Sequence, residues 1–125
     1  MMLYLLVGVG GALGALLRYL VTEWVSWSVV SRFPWGIWCC NVLGSLLIGF
    51  LCARQLLGAK HHLNAFLMVG LLGGFTTFSS FSLDTVQLFL NHQWVLAGCN
   101  VLVNVVFCLL GCYLGMQVGQ FFNSI

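Results

Sequence analysis

A chain of 125 residues that is 62% hydrophobic and 5% charged, with a net charge of +2, lacks the roughly 25% of charged residues that give a soluble domain its surface. This balance excludes a globular enzyme domain. Four Lys and Arg residues without a basic cluster also exclude the phosphate-neutralising patch that nucleic acid binding requires.

The mean hydropathy of +1.08 is that of a lipid-embedded chain, and at about 20 apolar residues per span the length accommodates four transmembrane helices and no separate soluble domain. The first apolar run, interrupted by Arg18 and followed by Thr22 and Glu23, predicts a span over 3–22. It is read as a span and not as a removable leader, because it lacks a basic start and a small-x-small cleavage site, and three further runs follow. The connection that follows, with Trp24, Ser26, Trp27, Ser28 and Ser31, suits an aromatic interfacial belt. Pro34 opens the second span, 35–53, which stops at Arg54. Gly58, Ala59, Lys60, His61 and His62 form the next connection, and the paired histidines, lacking a third ligand nearby, are expected to be interfacial residues and not a metal site.

The third span, 63–90, would measure about 42 Å as one straight helix, well beyond the ~30 Å hydrocarbon core. It must bend or break, and the weak point is 73–77, where Gly73 and Gly74 precede Phe75 and the β-branched Thr76 and Thr77. The fourth span covers 94–118, and no charge occurs from Gln93 to Ile125. Small residues four apart (Gly10 and Gly14, Gly11 and Ala15) and the group Gly44, Ser45 and Gly49 predict close helix contact, either within one subunit or at a dimer seam. The six cysteines, none in a C-x-x-C pair, are expected to act as small packing residues.

With both termini on one side, Arg54 and Lys60 fall on that side and Arg18 and Arg32 on the other. Two against two carries no instruction about orientation, so the chain is expected to insert both ways and pair as an antiparallel, dual-topology homodimer.

Polar side chains inside a bilayer are costly and mark function. The second span carries Asn41 and Ser45 on one face; the third carries Thr76, Thr77, Ser79, Ser80 and Ser82 interleaved with Phe78 and Phe81. The fourth carries Asn100, Asn104 and Cys108 at i, i+4 and i+8, a polar track. No carboxylate lies deep in a span, since Glu23 and Asp84 fall toward span ends, which favours passive conduction over proton-coupled transport. Amide and hydroxyl donors, positive phenyl edges and Arg18 as vestibule cation suit an anion. A break at 73–77 also frees backbone carbonyls, which two antiparallel copies would bring together as oxygen ligands for a small hard cation such as Na⁺.

The stretch Gly73-Gly74-Phe75-Thr76-Thr77-Phe78-Ser79-Ser80-Phe81-Ser82 resembles the G-G-x-T-T-F-S-T-F-S signature of the Fluc (CrcB-type) fluoride channels. Asn41-Val42-Leu43-Gly44-Ser45 resembles their N-x-x-G-S element, the run from Gly11 to Tyr19 their G-x-x-G-x-x-x-R-Y start, and Pro34-x-Gly36 the opening of their second helix. The resemblance spans the whole chain in order, with departures at Ser80 (usually Thr), Asp84 (commonly Glu) and Ile37 (often Thr). It implies a dual-topology dimer in the cytoplasmic or inner membrane, with two antiparallel fluoride pores, passive F⁻ export and a structural Na⁺ at the centre. In that scheme Phe78 and Phe81 present ring edges to F⁻, Asn41 donates an amide hydrogen bond, and Thr77, Ser79 and Ser80 supply hydroxyls. Gly73 and Thr76 offer carbonyls to Na⁺, and Arg18 stands near the pore mouth. Two other classes share the composition: a small four-helix multidrug or guanidinium exporter, which would carry a glutamate in the first span where Leu3 to Leu17 has none, and a non-conducting membrane assembly subunit.

Overall fold

In a computed structural model, residues 1–54 and 61–124 are described; Gly58, Ala59 and Lys60 of the second connection lie outside them. The described residues form helices and connections only, in the order α1 (Met2–Ser28), α2 (Trp35–Ala53), α3 (His61–Asn64), a π-helical segment (Ala65–Leu72), α4 (Gly73–Phe75), α5 (Phe78–Leu90) and α6 (Trp94–Asn123). Four helical runs among them, 2–28, 35–53, 61–90 and 94–123, are long and apolar enough to cross a membrane. The architecture is therefore all-α with four candidate spans.

The first helix continues past Glu23 through the aromatic segment to Ser28. Side-chain hydroxyls follow the helix here: Thr22 Oγ1 donates to the carbonyls of Arg18 and Tyr19, and Ser28 Oγ to that of Trp24. Polar residues that bond back to the preceding turn do not end a helix. Pro34, which has no N–H to satisfy, precedes α2, and its carbonyl accepts from Trp38 N at 3.1 Å. At the other end, Asn123 on the extended last helix donates from Nδ2 to the Ala53 carbonyl at 2.7 Å, joining the C-terminal ends of α2 and α6.

Along the third run the backbone departs from the α-helix twice. Residues 65–72 are π-helical, a rare conformation that frequently marks functional sites. Then Thr76 (φ −84°, ψ 152°) and Thr77 (φ −153°, ψ 118°) are extended before α5 begins. The run closes on a Schellman turn: Gln93 N donates to Leu88 O, His92 N to Phe89 O, and His92 adopts φ 59°. A left-handed conformation costs a non-glycine residue about 1–2 kcal/mol. His92→Gly is accordingly expected to raise the unfolding temperature, measured by the loss of helical circular dichroism on heating.

Five glycines of the first two spans, Gly10, Gly14, Gly36, Gly44 and Gly49, pack closely within the chain. A Cβ on Gly10 would overlap the Phe66 carbonyl and one on Gly14 the Leu71 carbonyl, so α1 lies backbone to backbone on the π-helical segment. Gly49 meets the Cys112 carbonyl and Gly115 the Leu46 carbonyl in the same way, which makes α2 and α6 a closely packed pair. Gly44 leaves room for the Thr76 methyl group at the interruption. Lipid tails supply no hydrophobic force between helices, so such close approach is what holds them together.

Candidate functional site

The interruption at 76–77 faces α2 and α6 across a groove of about 450 Å³. Asn41, Ser45, Gly73, Thr76, Thr77, Phe78, Phe81, Asn104 and Cys108 all line it. Three helical runs thus deliver most of the sequence-selected residues to one surface.

Asn41 grips the extended backbone at two points. Its Oδ1 accepts from Thr77 N at 2.8 Å and its Nδ2 donates to Thr77 O at 3.2 Å. The same Nδ2 donates a longer bond, 3.4 Å, to Asn104 Oδ1. From there the polar track continues: Asn104 Nδ2 donates to Asn100 Oδ1 at 2.8 Å and to Asn100 O at 3.0 Å, and Asn100 Nδ2 to Thr85 Oγ1 at 2.9 Å. Thr85 Oγ1 donates in turn to the Phe81 carbonyl at 2.7 Å. Asn100 is completely buried and does not line the groove. A fully buried amide needs such partners, because an unmet polar group costs about 1–3 kcal/mol.

Thr77 also caps α5. Its Oγ1 accepts from Ser80 N at 3.2 Å and lies 3.1 Å from Ser79 Oγ and 3.3 Å from Ser80 Oγ. These three hydroxyls form one cluster at the helix start, although Ser79 and Ser80 stand just outside the groove wall. The rings of Phe78 and Phe81 are tilted by 55° with centroids 5.3 Å apart. Phe81 is buried at 7% exposure, whereas Phe78 is 78% exposed on the surface of the chain.

Arg18 lies apart, half-buried on α1 and outside this groove; its carbonyl accepts from Thr22 and from Cys40 Sγ, the latter at 4.0 Å. Asp84 belongs to a second, polar pocket of about 330 Å³ lined also by Arg32, Gln87, Asn91 and Gln93, and its Oδ2 is buried without a hydrogen-bond partner among the described residues. Thr85 is not singled out by the sequence alone. Its position one turn after Phe81 was the available signal, but nothing local shows that it terminates a chain begun at Asn41.

A family model described as CrcB-like protein, Camphor Resistance (CrcB) matches residues 5–116. The chain belongs to the CrcB family. The chain is similar to a fluoride-specific ion channel FluC from Elusimicrobium minutum, 43% identical over 118 residues, covering 94% of this chain and 93% of that one. A protein of the same name from Opitutus terrae is 42% identical, covering 100% and 98%, and one from Rhizobium meliloti is 48% identical, covering 79% and 80%. With four apolar helical runs and relatives named as channels, this CrcB family member is a multi-pass membrane protein.

Proposed function

We propose that the chain is a fluoride-specific ion channel of the cytoplasmic or inner membrane, built from two inverted copies, through which F⁻ leaves the cell down its electrochemical gradient. The observation that carries this reading is the convergence of the Asn41 amide, the Thr77 hydroxyl and the two phenyl rings on one groove at the interrupted helix. F⁻ is strongly hydrated, and a dense set of amide and hydroxyl donors with positive ring edges replaces part of its water. When F⁻ approaches Asn41, the 3.4 Å bond to Asn104 is the one that yields, while the two-point grip on Thr77 keeps the amide in place. Asp84 lies outside the groove, so no carboxylate interrupts the path with a proton relay. A negative-inside potential drives the anion outward at about 2.3 kcal/mol per 100 mV without energy coupling.

The groove is open on one side, and beside it the Gly73 and Thr76 carbonyls lack the hydrogen bonds a continuous helix would give them; in hydrocarbon an unsatisfied polar group costs several kcal/mol. A second copy closes it, and the even distribution of Arg18, Arg32, Arg54 and Lys60 permits that copy to be inverted. The backbone also fits a hard cation. In a continuous helix Thr77 N–H would bond Gly73 O and Ser80 N–H would bond Thr76 O; both donors point elsewhere. The carbonyls of Gly73 and Thr76 are therefore free to hold Na⁺, two from each copy, and the ion would supply the positive charge that lets converging carbonyl dipoles meet.

Liposomes loaded with equal F⁻ and Cl⁻ test the reading directly. Fast F⁻ efflux with Cl⁻ retained is expected; F⁻ loss no greater than from protein-free vesicles overturns it. A reporter fused to the C-terminus is expected to give signal on both sides of the membrane, and signal confined to one side removes the inverted pair.

A further inference from the structure

The two backbone N–H groups that the interruption releases do not go to arbitrary partners. Thr77 N–H goes to Asn41 Oδ1 at 2.8 Å, and Ser80 N–H goes to Thr77 Oγ1 at 3.2 Å. One donor is withdrawn from each of the two candidate carbonyls, Gly73 O and Thr76 O, which stand four residues before them. From this we infer that the side chains of Asn41 and Thr77 are positioning residues for the cation site: by capturing these N–H groups they keep the Gly73 and Thr76 carbonyls available as ligands. The inference rests on the reading of those carbonyls as a Na⁺ site and adds what holds that site open.

The Thr77 backbone N–H and carbonyl fix the orientation of Asn41, and a chain of side chains behind it has the matching order. Thr85 Oγ1 donates its single hydrogen to Phe81 O, so it can only accept from Asn100 Nδ2. Asn100 Oδ1 then accepts from Asn104 Nδ2, and Asn104 Oδ1 is left facing Asn41 Nδ2. That order agrees with Asn41 Oδ1 accepting from Thr77 N–H. Each amide has one satisfiable orientation, and the buried chain across α5, α6 and α2 ends at the residue that frees Gly73 O. The fluoride groove and the cation site consequently share one asparagine. Its Nδ2 serves the groove and its Oδ1 serves the carbonyl.

The test uses the purified full-length dimer, titrated with Na⁺ against N-methylglucamine, with the unfolding temperature and dimer dissociation as readouts besides flux. Thr77→Val keeps the side-chain shape and loses the cap, so Ser80 N–H can return to Thr76 O. The expected result is a Na⁺ midpoint raised about thirty-fold, equivalent to one neutral hydrogen bond of about 1 kcal/mol in each of the two copies, with Thr77→Ser restoring the wild-type midpoint. A purely structural role would lower the unfolding temperature equally at every Na⁺ concentration and leave the midpoint unmoved. That outcome, with the wild type still Na⁺-dependent, overturns the inference and leaves the channel reading and the cation site standing. A wild-type dimer indifferent to Na⁺ overturns the cation site itself, and the inference with it. Should Thr77→Val yield no dimer, Asn41→Ala is read in the same titration, with a raised midpoint expected and an unmoved one decisive against the inference.

Discussion

Asn41→Asp is expected to lower fluoride flux in liposomes about a thousand-fold, and Phe81→Ile about ten-fold or more, while both proteins elute as the wild type does. The first substitution keeps the size and the Oδ1 acceptor for Thr77 N–H but replaces the donating amide with a like charge beside the path. At 4 Å and an effective dielectric constant of about 20, such repulsion is roughly 4 kcal/mol, about three decades in rate. The second keeps an apolar side chain of useful bulk in a buried site and removes the ring edge. Edge contacts of this kind are worth about 0.5–1.5 kcal/mol in ordinary packing, up to about ten-fold, and more against a full charge. Rates measured by a fluoride electrode after the membrane potential is released decide the matter. Unchanged flux in both variants would take Asn41 and Phe81 out of the conduction path.

The double variant Gly49→Ala, Gly115→Ala is expected to abolish the folded protein. Each added methyl group meets backbone and not a flexible side-chain tip: the Cys112 carbonyl for Gly49 and the Leu46 carbonyl for Gly115. Overpacking costs about 1–3 kcal/mol per site where neighbours can adjust, and a helix backbone in a paired bundle adjusts little. The two sites lie on facing helices, so both substitutions push α2 and α6 apart together and the losses reinforce each other. Asn41 on α2 and Asn104 on α6 would separate with them, losing a bond already 3.4 Å long. Gly11→Ala is the contrast, because its methyl group would approach Gly70 O only to 4.0 Å, an ordinary contact. Size-exclusion profiles and thermal unfolding of the three proteins separate the cases; a double variant that elutes and melts as the wild type does would show that the close approach is dispensable.

Much of the candidate site was legible from residue order. The polar positions of three spans, the phenylalanines at 78 and 81 and the weak point at 73–77 are all local features, and the structure brings Asn41, Thr76, Thr77, Phe78, Phe81, Asn104 and Cys108 to one groove. Arg18 illustrates the opposite case. A cation in an apolar run invites a role at a pore mouth; where its helix packs depends on Gly10 and Gly14 seating against the π-helical segment, and the residue stands outside the groove. The π-helical conformation itself has no periodic signature in Ala65–Leu72, which is apolar throughout. The helix bounds shifted for a related reason: Thr22 and Ser28 satisfy carbonyls one turn back, so polar residues that resemble a stop continue α1 to Ser28.

Residue order by itself determined that this is a four-span membrane protein of the CrcB family, because apolar run length and a compact motif are properties of contiguous sequence that bilayer thickness reads directly. Only the tertiary structure decided that Asn41 holds Thr77, 36 residues away, and that a chain of amides reaches Thr85. The physical reason is that a side-chain amide has two ends and several neighbours at every position, and which end faces which partner is settled only when packed helices leave one arrangement with every buried donor satisfied.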